Sequence, residues 1–266
     1  MRDVRAGGQA GTLSDVTSVW ICLPTYNEAE NLERMVRALE AERTEHELDA
    51  TVLVIDDSSP DGTGDIADRL AIEFPWVQVL HRTSKDGLGR AYLAGFQVAL
   101  AGGAELVMEM DCDFSHDPND VHRMVAAAAH ADVVIGSRNV PGGGVSGWPW
   151  YRQAISKGGS LYARTILGLP IRDMTAGFKL FRRGVLETLD LDGVEASGYM
   201  FQVELKYRAS KAGFRISEIP VTFVDREFGE SKMNSSIVIE AMWRVWRLRL
   251  RRIRSTGAGT TADTDA

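Results

Sequence analysis

The chain has 266 residues, 44% of them hydrophobic and 25% charged, with a formal charge of −7; this composition belongs to a water-soluble globular protein of one large or two small domains. An acidic whole excludes a general polyanion binder, so any basic site is local and nucleic acid is not expected as a partner. The two cysteines, Cys22 and Cys112, each lie inside an apolar run, which excludes a disulfide framework and reads as buried thiols in a reducing compartment.

The opening stretch MRDVRAGGQAGTLSD lacks the apolar core of a signal peptide. Residues 1–18 and 255–266 are polar and Gly-rich and read as disordered tails. Between them VWICLP reads as a strand, and EAENLERMVRALEAE as a helix with Leu32, Met35, Val36 and Leu39 at helical spacing. ATVLVID is a second strand and GDIADRLAIEF a second helix; VQVLHR is a third strand and GRAYLAGFQVALAGG a third helix ending at glycines. ELVMEMD and ADVVIGSR are further strands, with the helical NDVHRMVAAAAH between them. Strands apolar on both faces, alternating with helices, predict a mostly parallel sheet covered on both sides. Ligands of such sheets bind beyond the carboxyl ends of the strands.

Neither a dinucleotide-binding Gly-x-Gly-x-x-Gly nor a Walker-type phosphate loop occupies those ends. Carboxylates do: PTYNE follows the first strand, DDSSPDGTGD the second and DCDFSHDP the fourth. Helix capping accounts for Asp117, Pro118, Asp120 and Thr63. It does not account for Asp56 with Asp57 or Asp111 with Asp113, whose mutual repulsion needs a cation or hydrogen-bond donors to offset it.

The segments LPTYNEAENL, VIDDSSPDGT, GLGRAYLAGF, MDCDFSH, GSR, DMTAGFKLFRR and DREFGESKMN, in that order over residues 19–236, resemble glycosyltransferase family 2, and within it the polyprenol-phosphate (dolichol-phosphate) mannose synthases. The resemblance implies an α/β fold of GT-A type: a Rossmann-like three-layer sandwich with a mostly parallel central sheet, over residues 19–236. It also implies inverting transfer of mannose from GDP-mannose to a polyprenyl phosphate, with Mg²⁺ or Mn²⁺. On this reading Asp111 and Asp113 hold the cation against the donor diphosphate, as hard oxygen ligands suit. Relatives often carry Gln two places after the second Asp; here Ser115 stands there and offers a hydroxyl to the ion or to its water. His116 reads as a turn or cap residue.

Asp56 and Asp57 would accept N–H or O–H donors from base or ribose, with Pro24, Tyr26 and Glu28 as the opposite wall. Gly87 and Gly89 would let backbone approach the donor at a helix start, with Lys85 near its phosphates. The acceptor phosphate calls for cations, and the second half of the chain offers Arg138, Arg152, Lys179, Arg226 and Lys232, with Ser156 beside them. Asp113, Arg138 and Arg226 are the residues expected at the reacting groups, and Gly-Glu-Ser-Lys reads as a loop closing over the donor. A phosphate acceptor needs no general base; Asp173 and Glu204 are the candidates for one, and pairing with nearby cations is their other reading.

Residues 237–254 read as an amphipathic basic helix, with Ile239, Met242, Trp246, Leu250 and Ile253 on one face and Arg244, Arg247, Arg251 and Arg254 opposite. It lacks spanning length and reads as an interfacial helix on the cytosolic face of a membrane, with a membrane protein as a further partner; packing on the domain with its arginines in water, or on a partner protein, are its other readings. Three alternatives stay open: UDP-glucose or another nucleotide sugar as donor, a hydroxyl acceptor served by Asp173 or Glu204, and a nucleotide-sugar-binding scaffold without activity.

Overall fold

The computed structural model describes residues 17–195, 198–225 and 235–250, the side chains of 198–199 and 235–241 excepted. Its first strand, β1 (Val19–Thr25), lies inside the sheet, and its side chains alternate between two apolar layers. Trp20 and Cys22 face one, while Val19, Ile21 and Leu23 face the other. Burial on both faces is why this strand reads as an unbroken apolar run.

Parallel strands flank it: β2 (Ala50–Asp56) on one side, with β3 (Val77–His81) beyond, and β4 (Leu106–Glu109) on the other. The expected strand ADVVIGSR is β5 (Val133–Ser137). Short β6 (Gly144–Ser146) follows, and then β7 (Lys179–Arg182), β8 (Ile216–Pro220) and β9 (Thr222–Val224). The main sheet runs β3-β2-β1-β4-β7-β5-β8, and β6 pairs with β9 in a separate parallel ribbon. Strand β7 is antiparallel to both neighbours and all other pairings are parallel, so the sheet is mostly parallel, as expected.

Helices α1 (Leu32–Glu45), α2 (Thr63–Glu73) and α4 (Val121–Ala127) cover the Ile21 face. Helices α3 (Leu88–Ala101), α5 (Trp150–Leu167), α6 (Arg183–Thr188), α7 (Gly198–Lys211) and α8 (Ser235–Leu250) supply the other layer. The three-layer sandwich expected from the sequence is therefore present. Helix α3 reaches the sheet through Gly95, where an added Cβ would come within 2.4 Å of Ile55 Cδ1.

Helix α1 starts four residues later than its pattern predicts, because the Asn31 and Leu32 amides donate to the Glu28 carbonyl and make a turn first. Ahead of α4, Pro118–Asp120 form a 3₁₀ turn, capped by the Asp117 carboxylate on the Asn119 amide. From 139 to 236 the periodicity assigns no element, and β6–β9, α5, α6 and α7 lie there.

Helix α8 packs through Val245 and Leu248, while Met242, Trp243, Trp246 and Leu250 are exposed. Its buried stripe is thus neither of the two faces read from the sequence. Of the expected helix 237–254, residues 251–254 lie outside the described residues, as do the tails apart from 17 and 18. No described helix is long and apolar enough to cross a membrane.

Candidate active site

The carboxyl ends of β1, β2, β4 and β5 deliver four loops to one edge of the sheet. After β1, Asn27 adopts φ 62° and its amide donates to Ser59 Oγ (3.1 Å). Glu28 and Ala29 amides donate to Thr63 Oγ1 (3.0 Å) and Asp61 Oδ2 (3.1 Å), which fastens the first loop to the second. Pro24, Tyr26 and Glu28 are half-buried along this wall, and Lys85 Nζ sits 3.3 Å from the Tyr26 ring centroid. That contact places the lysine against the loop after β1.

Asp56 is buried and organises its own turn. Its carboxylate accepts from Ser59 Oγ (2.5 Å) and the Ser59 amide (3.2 Å). Asp57 is ion-paired with Arg82. Burial pushes the Asp57 carboxyl up, and Arg82 offsets part of that shift. Gly87, at φ 100° and ψ 154°, holds an extended positive-φ conformation that favours glycine just before α3, and Gly89 is buried in its first turn.

The pair after β4 is braced from behind. Tyr92 of α3, fully buried, donates its O–H to Asp111 Oδ1 (3.1 Å). Burial, with Asp111 beside it, pushes the phenol well above its usual value, so it stays a donor. His116 is buried as well; its Nδ1 accepts from the Asp111 amide (3.0 Å) and its Nε2 lies 4.0 Å from Asp111 Oδ2. Because Nδ1 accepts, the proton of the neutral ring sits on Nε2. Asp113 Oδ1 accepts from the Ser115 amide (3.1 Å), across Phe114 at φ 58°. Cys112 is buried between the two acids, and burial pushes its thiol well up, which makes it an inert spacer.

Ser115 Oγ is fully buried and has no hydrogen-bond partner among the described residues. An orphaned hydroxyl beside two carboxylates is the donor set a hard divalent ion takes, so the residues present fit such an ion.

At the end of β5 stands Arg138. Its Nε and Nη2 donate to Asp173 Oδ2 (2.8 Å) and Oδ1 (2.7 Å), and Nη2 also donates to Thr175 Oγ1 (2.8 Å). Burial pushes the Asp173 carboxyl up, but hydrogen bonds from Arg138 and its charge, with Lys206 behind, outweigh this and bring it to about 2. Lys206 Nζ donates to the Met174 (3.0 Å) and Ala176 (2.8 Å) carbonyls, pinning the loop that carries Asp173.

Next to Arg138, Arg152 of α5 donates to Asp225 Oδ1 (2.8 Å) and lies 4.0 Å over the Trp148 ring. Ser156 follows one turn later, half-buried. Two buried donors here, Arg152 Nε and Trp148 Nε1, have no partner among the described residues. Phe223 stacks edge-on against both Trp148 (5.3 Å) and His116 (5.5 Å). A single aromatic layer thus links the arginine cluster to the acidic loop.

The family 2 model matches residues 20–190. Among curated relatives, undecaprenyl-phosphate mannosyltransferase of Micrococcus luteus is 51% identical over 225 residues, covering 85% of this chain and 91% of its own. The chain belongs to glycosyltransferase family 2. Polyprenol monophosphomannose synthase of Mycolicibacterium smegmatis is 46% identical over 261 residues, 96% of this chain and 97% of its own. Of solved structures, glucosyl-3-phosphoglycerate synthase from Mycobacterium tuberculosis, with Mn²⁺, UDP and its product, superposes with TM-score 0.62 at 19% identity, over 92% of this chain and 84% of that one. A mannosyltransferase from Pyrobaculum calidifontis, with GDP-Man and Mn²⁺, gives TM-score 0.54 at 19% identity, over 86% and 60%. These two likenesses establish the GT-A fold.

In this glycosyltransferase several residues stand elsewhere than their sequence reading has them. Lys179 is not in the acceptor cluster. On antiparallel β7 it faces its register partner Glu109 and is fully buried, 3.0 Å from Glu109 Oε1 and bonded to Gln202. His116 is more than a turn residue, since it holds the Asp111 backbone. Glu204 is engaged by Arg208, through Nη2 at 2.6 Å, and by the Glu195 amide. Arg226, Lys232 and the Gly-Glu-Ser-Lys loop lie outside the described residues. Tyr92, Trp148 and Phe223 escape a reading by motif because apolar or aromatic residues at such places are usually packing; only their partners reveal the role.

Proposed function

We propose that this glycosyltransferase moves mannose from GDP-mannose to a polyprenyl monophosphate, with inversion at the sugar C1. The observation that carries the acceptor class is the state of Asp173. A hydroxyl acceptor needs a base, and a carboxyl held at about 2 by Arg138 is a poor one. Glu204, the other candidate, is tied to Arg208. A phosphate monoester, with its second pKa at about 6, is largely a dianion at neutral pH and attacks unaided. Arg152 Nε and Trp148 Nε1, donors without a partner among the described residues, suit its oxygens, and Arg138 is held rigid to meet them. The names of the two curated relatives support both sugar and acceptor.

Asp111, Asp113 and Ser115 would hold Mg²⁺ or Mn²⁺, which when bound neutralises charge on the departing nucleoside diphosphate. Tyr92 and His116 fix Asp111 in place for that task. Pro24, Tyr26, Glu28 and Asp57 would line the nucleoside, with Gly87 and Gly89 beside its phosphates.

The lipid chain would lie along a surface built from α5 and α8. Trp150, Tyr151, Ile155 and Leu161 of α5 are exposed, as are Met242, Trp243, Trp246 and Leu250 of α8, with Arg247 and Arg249 beside them. Tryptophan with arginine on such a face suits the headgroup level of an anionic membrane, on its cytosolic side.

The test is incubation with polyprenyl phosphate and either GDP-mannose or UDP-glucose, with and without EDTA. Mannosyl-phosphoryl-polyprenol forms from GDP-mannose and is lost with EDTA. Product from UDP-glucose alone would overturn the donor, and activity that survives EDTA would overturn the metal role.

A further inference from the structure

Away from the strand ends, α1 and α4 bring together three side chains the transfer reaction does not use. Glu42 and His46 are four residues apart at the end of α1, a spacing that puts both on one helix face. His122 enters from the first turn of α4, 80 residues along the chain. The Glu42 side chain is 3% exposed, and the two imidazoles are about one-third exposed, at 32% and 34%. Glu42 Oε1 accepts from the His122 amide (3.0 Å) and lies 2.6 Å from His122 Nδ1, while Oε2 lies 3.5 Å from His46 Nε2. Among the described residues neither lysine nor arginine pairs with this buried carboxylate. Its available counter-charges are two imidazoles, or an ion that the imidazoles hold.

We propose that Glu42, His46 and His122 form a second cation site, for Zn²⁺ or a similar ion that favours imidazole. The donor set is two histidines and one carboxylate, leaving a fourth position for water. Ligand atoms around tetrahedral zinc are about 3.3 Å apart; here one ligand atom from each residue falls within 4.8 Å of the others. The imidazole rings stack at 3.8 Å with 21° between their planes, so both lone pairs cannot yet point at one ion. Capture turns His46 about its Cβ–Cγ bond, out of the stack. His122 then presents a bare Nδ1, with its proton on Nε2, and Glu42 exchanges the Nδ1 contact for a bond to the ion. Ligand chemistry keeps the two sites apart. Asp111, Asp113 and Ser115 offer only oxygen and suit Mg²⁺ or Mn²⁺, whereas imidazole suits zinc and copper. The ion would staple the end of α1 to the start of α4, the helices that follow the β1 and β4 site loops.

The test uses the full chain carrying Asp111→Asn and Asp113→Asn, stripped with EDTA and dialysed, so the reaction-site carboxylates no longer compete. Calorimetric titration is expected to show about one Zn²⁺ per chain, with a rise in melting temperature. His46→Ala removes both effects; it keeps the Glu42–His122 contact, and circular dichroism with the zinc-free melting temperature confirms that it folds. Cu²⁺ as a probe is expected to show two imidazole nitrogens by electron paramagnetic resonance, falling to one in His46→Ala. In the chain with Asp111 and Asp113 intact, His46→Ala leaves Mn²⁺-supported transfer unchanged. No zinc bound, or zinc and copper signals untouched by His46→Ala, would overturn the site.

Discussion

Replacing Asp173 by Asn tests the acceptor site and its energetics together. Arg138 keeps its charge but loses a carboxylate that now takes three of its N–H groups: the amide, Nε and Nη2. A carboxyl that falls from its ordinary 3.8 to about 2 on folding contributes about 2 kcal/mol at neutral pH. Removing one partner of a buried pair costs about 3–5 kcal/mol, because the partner left behind is still desolvated. Asn retains one acceptor, so a loss of about 2–4 kcal/mol is expected at pH 7. The sign with pH follows from the lowered folded value. The contribution is complete above the unfolded value of 3.8, and it fades as pH falls from about 4 towards 2. About half of it remains at pH 3. Urea unfolding of both proteins from pH 7 down to 3 measures this gap directly. The acceptor KM of Asp173→Asn should rise while the donor KM stays put, since the described partners of Arg138 are Asp173, Thr175, Trp148 and Phe223, none of them in the loops proposed to hold the nucleotide. A stability gap below about 1 kcal/mol at pH 7, or a gap that does not narrow in acid, would refute the clamp.

Asp113→Ala is expected to abolish transfer with folding intact, as judged by circular dichroism; retained turnover would remove the acidic loop from the chemistry. Tyr92→Phe deletes one hydrogen bond to Asp111, costing about 1 kcal/mol of stability and about tenfold or more in activity, seen in kcat at saturating donor and acceptor. Arg152→Ala should raise the acceptor KM by about ten- to a hundredfold, and Arg152→Lys should not restore it, because a lysine cannot both stack on Trp148 and offer a fork of donors. Trp243→Ser with Leu250→Ser should weaken binding to anionic vesicles by about tenfold, while GDP-dependent thermal stabilisation in detergent stays unchanged.

The first half of the fold was legible because each element there carries one clear signal. β1 and β2 are apolar on both faces, α1 to α3 keep a helical stripe, and the loops between them hold turn residues. From residue 139 onward the signals mix. β7 is four residues long and carries Lys179, which the sequence offers as an acceptor cation; the cross-strand Glu109 that neutralises it is 70 positions away in sequence. Helix α7 buries Gln202, Glu204, Lys206 and Arg208, so its apolar stripe is interrupted by charges satisfied only in three dimensions. The site divides the same way. Asp111 and Asp113 could be found because paired acids at a strand end need a reason. Tyr92, His116 and Phe223 could not, since their importance lies in what they touch.

Those contacts explain how one edge of a sheet can manage opposite charges. On the proposed reading the donor side attracts a cation and the acceptor side an anion. Carboxylates and guanidiniums left free in one cleft would pair with each other and close it. Here each set is bound from behind: Asp111 by Tyr92 and His116, Arg138 by Asp173 and Thr175, Arg152 by Asp225. His116, Phe223 and Trp148 stand between them as an aromatic partition. Thinning that partition with Phe223→Ala is therefore expected to do more than create a cavity. It should let Arg138 or Arg152 reach Asp111 and compete with the divalent ion, raising the Mn²⁺ concentration needed for half-maximal activity. Phe223→Leu, which fills most of the same space, should restore it. An unchanged Mn²⁺ requirement in a folded Phe223→Ala protein would show that distance alone keeps the two charges apart.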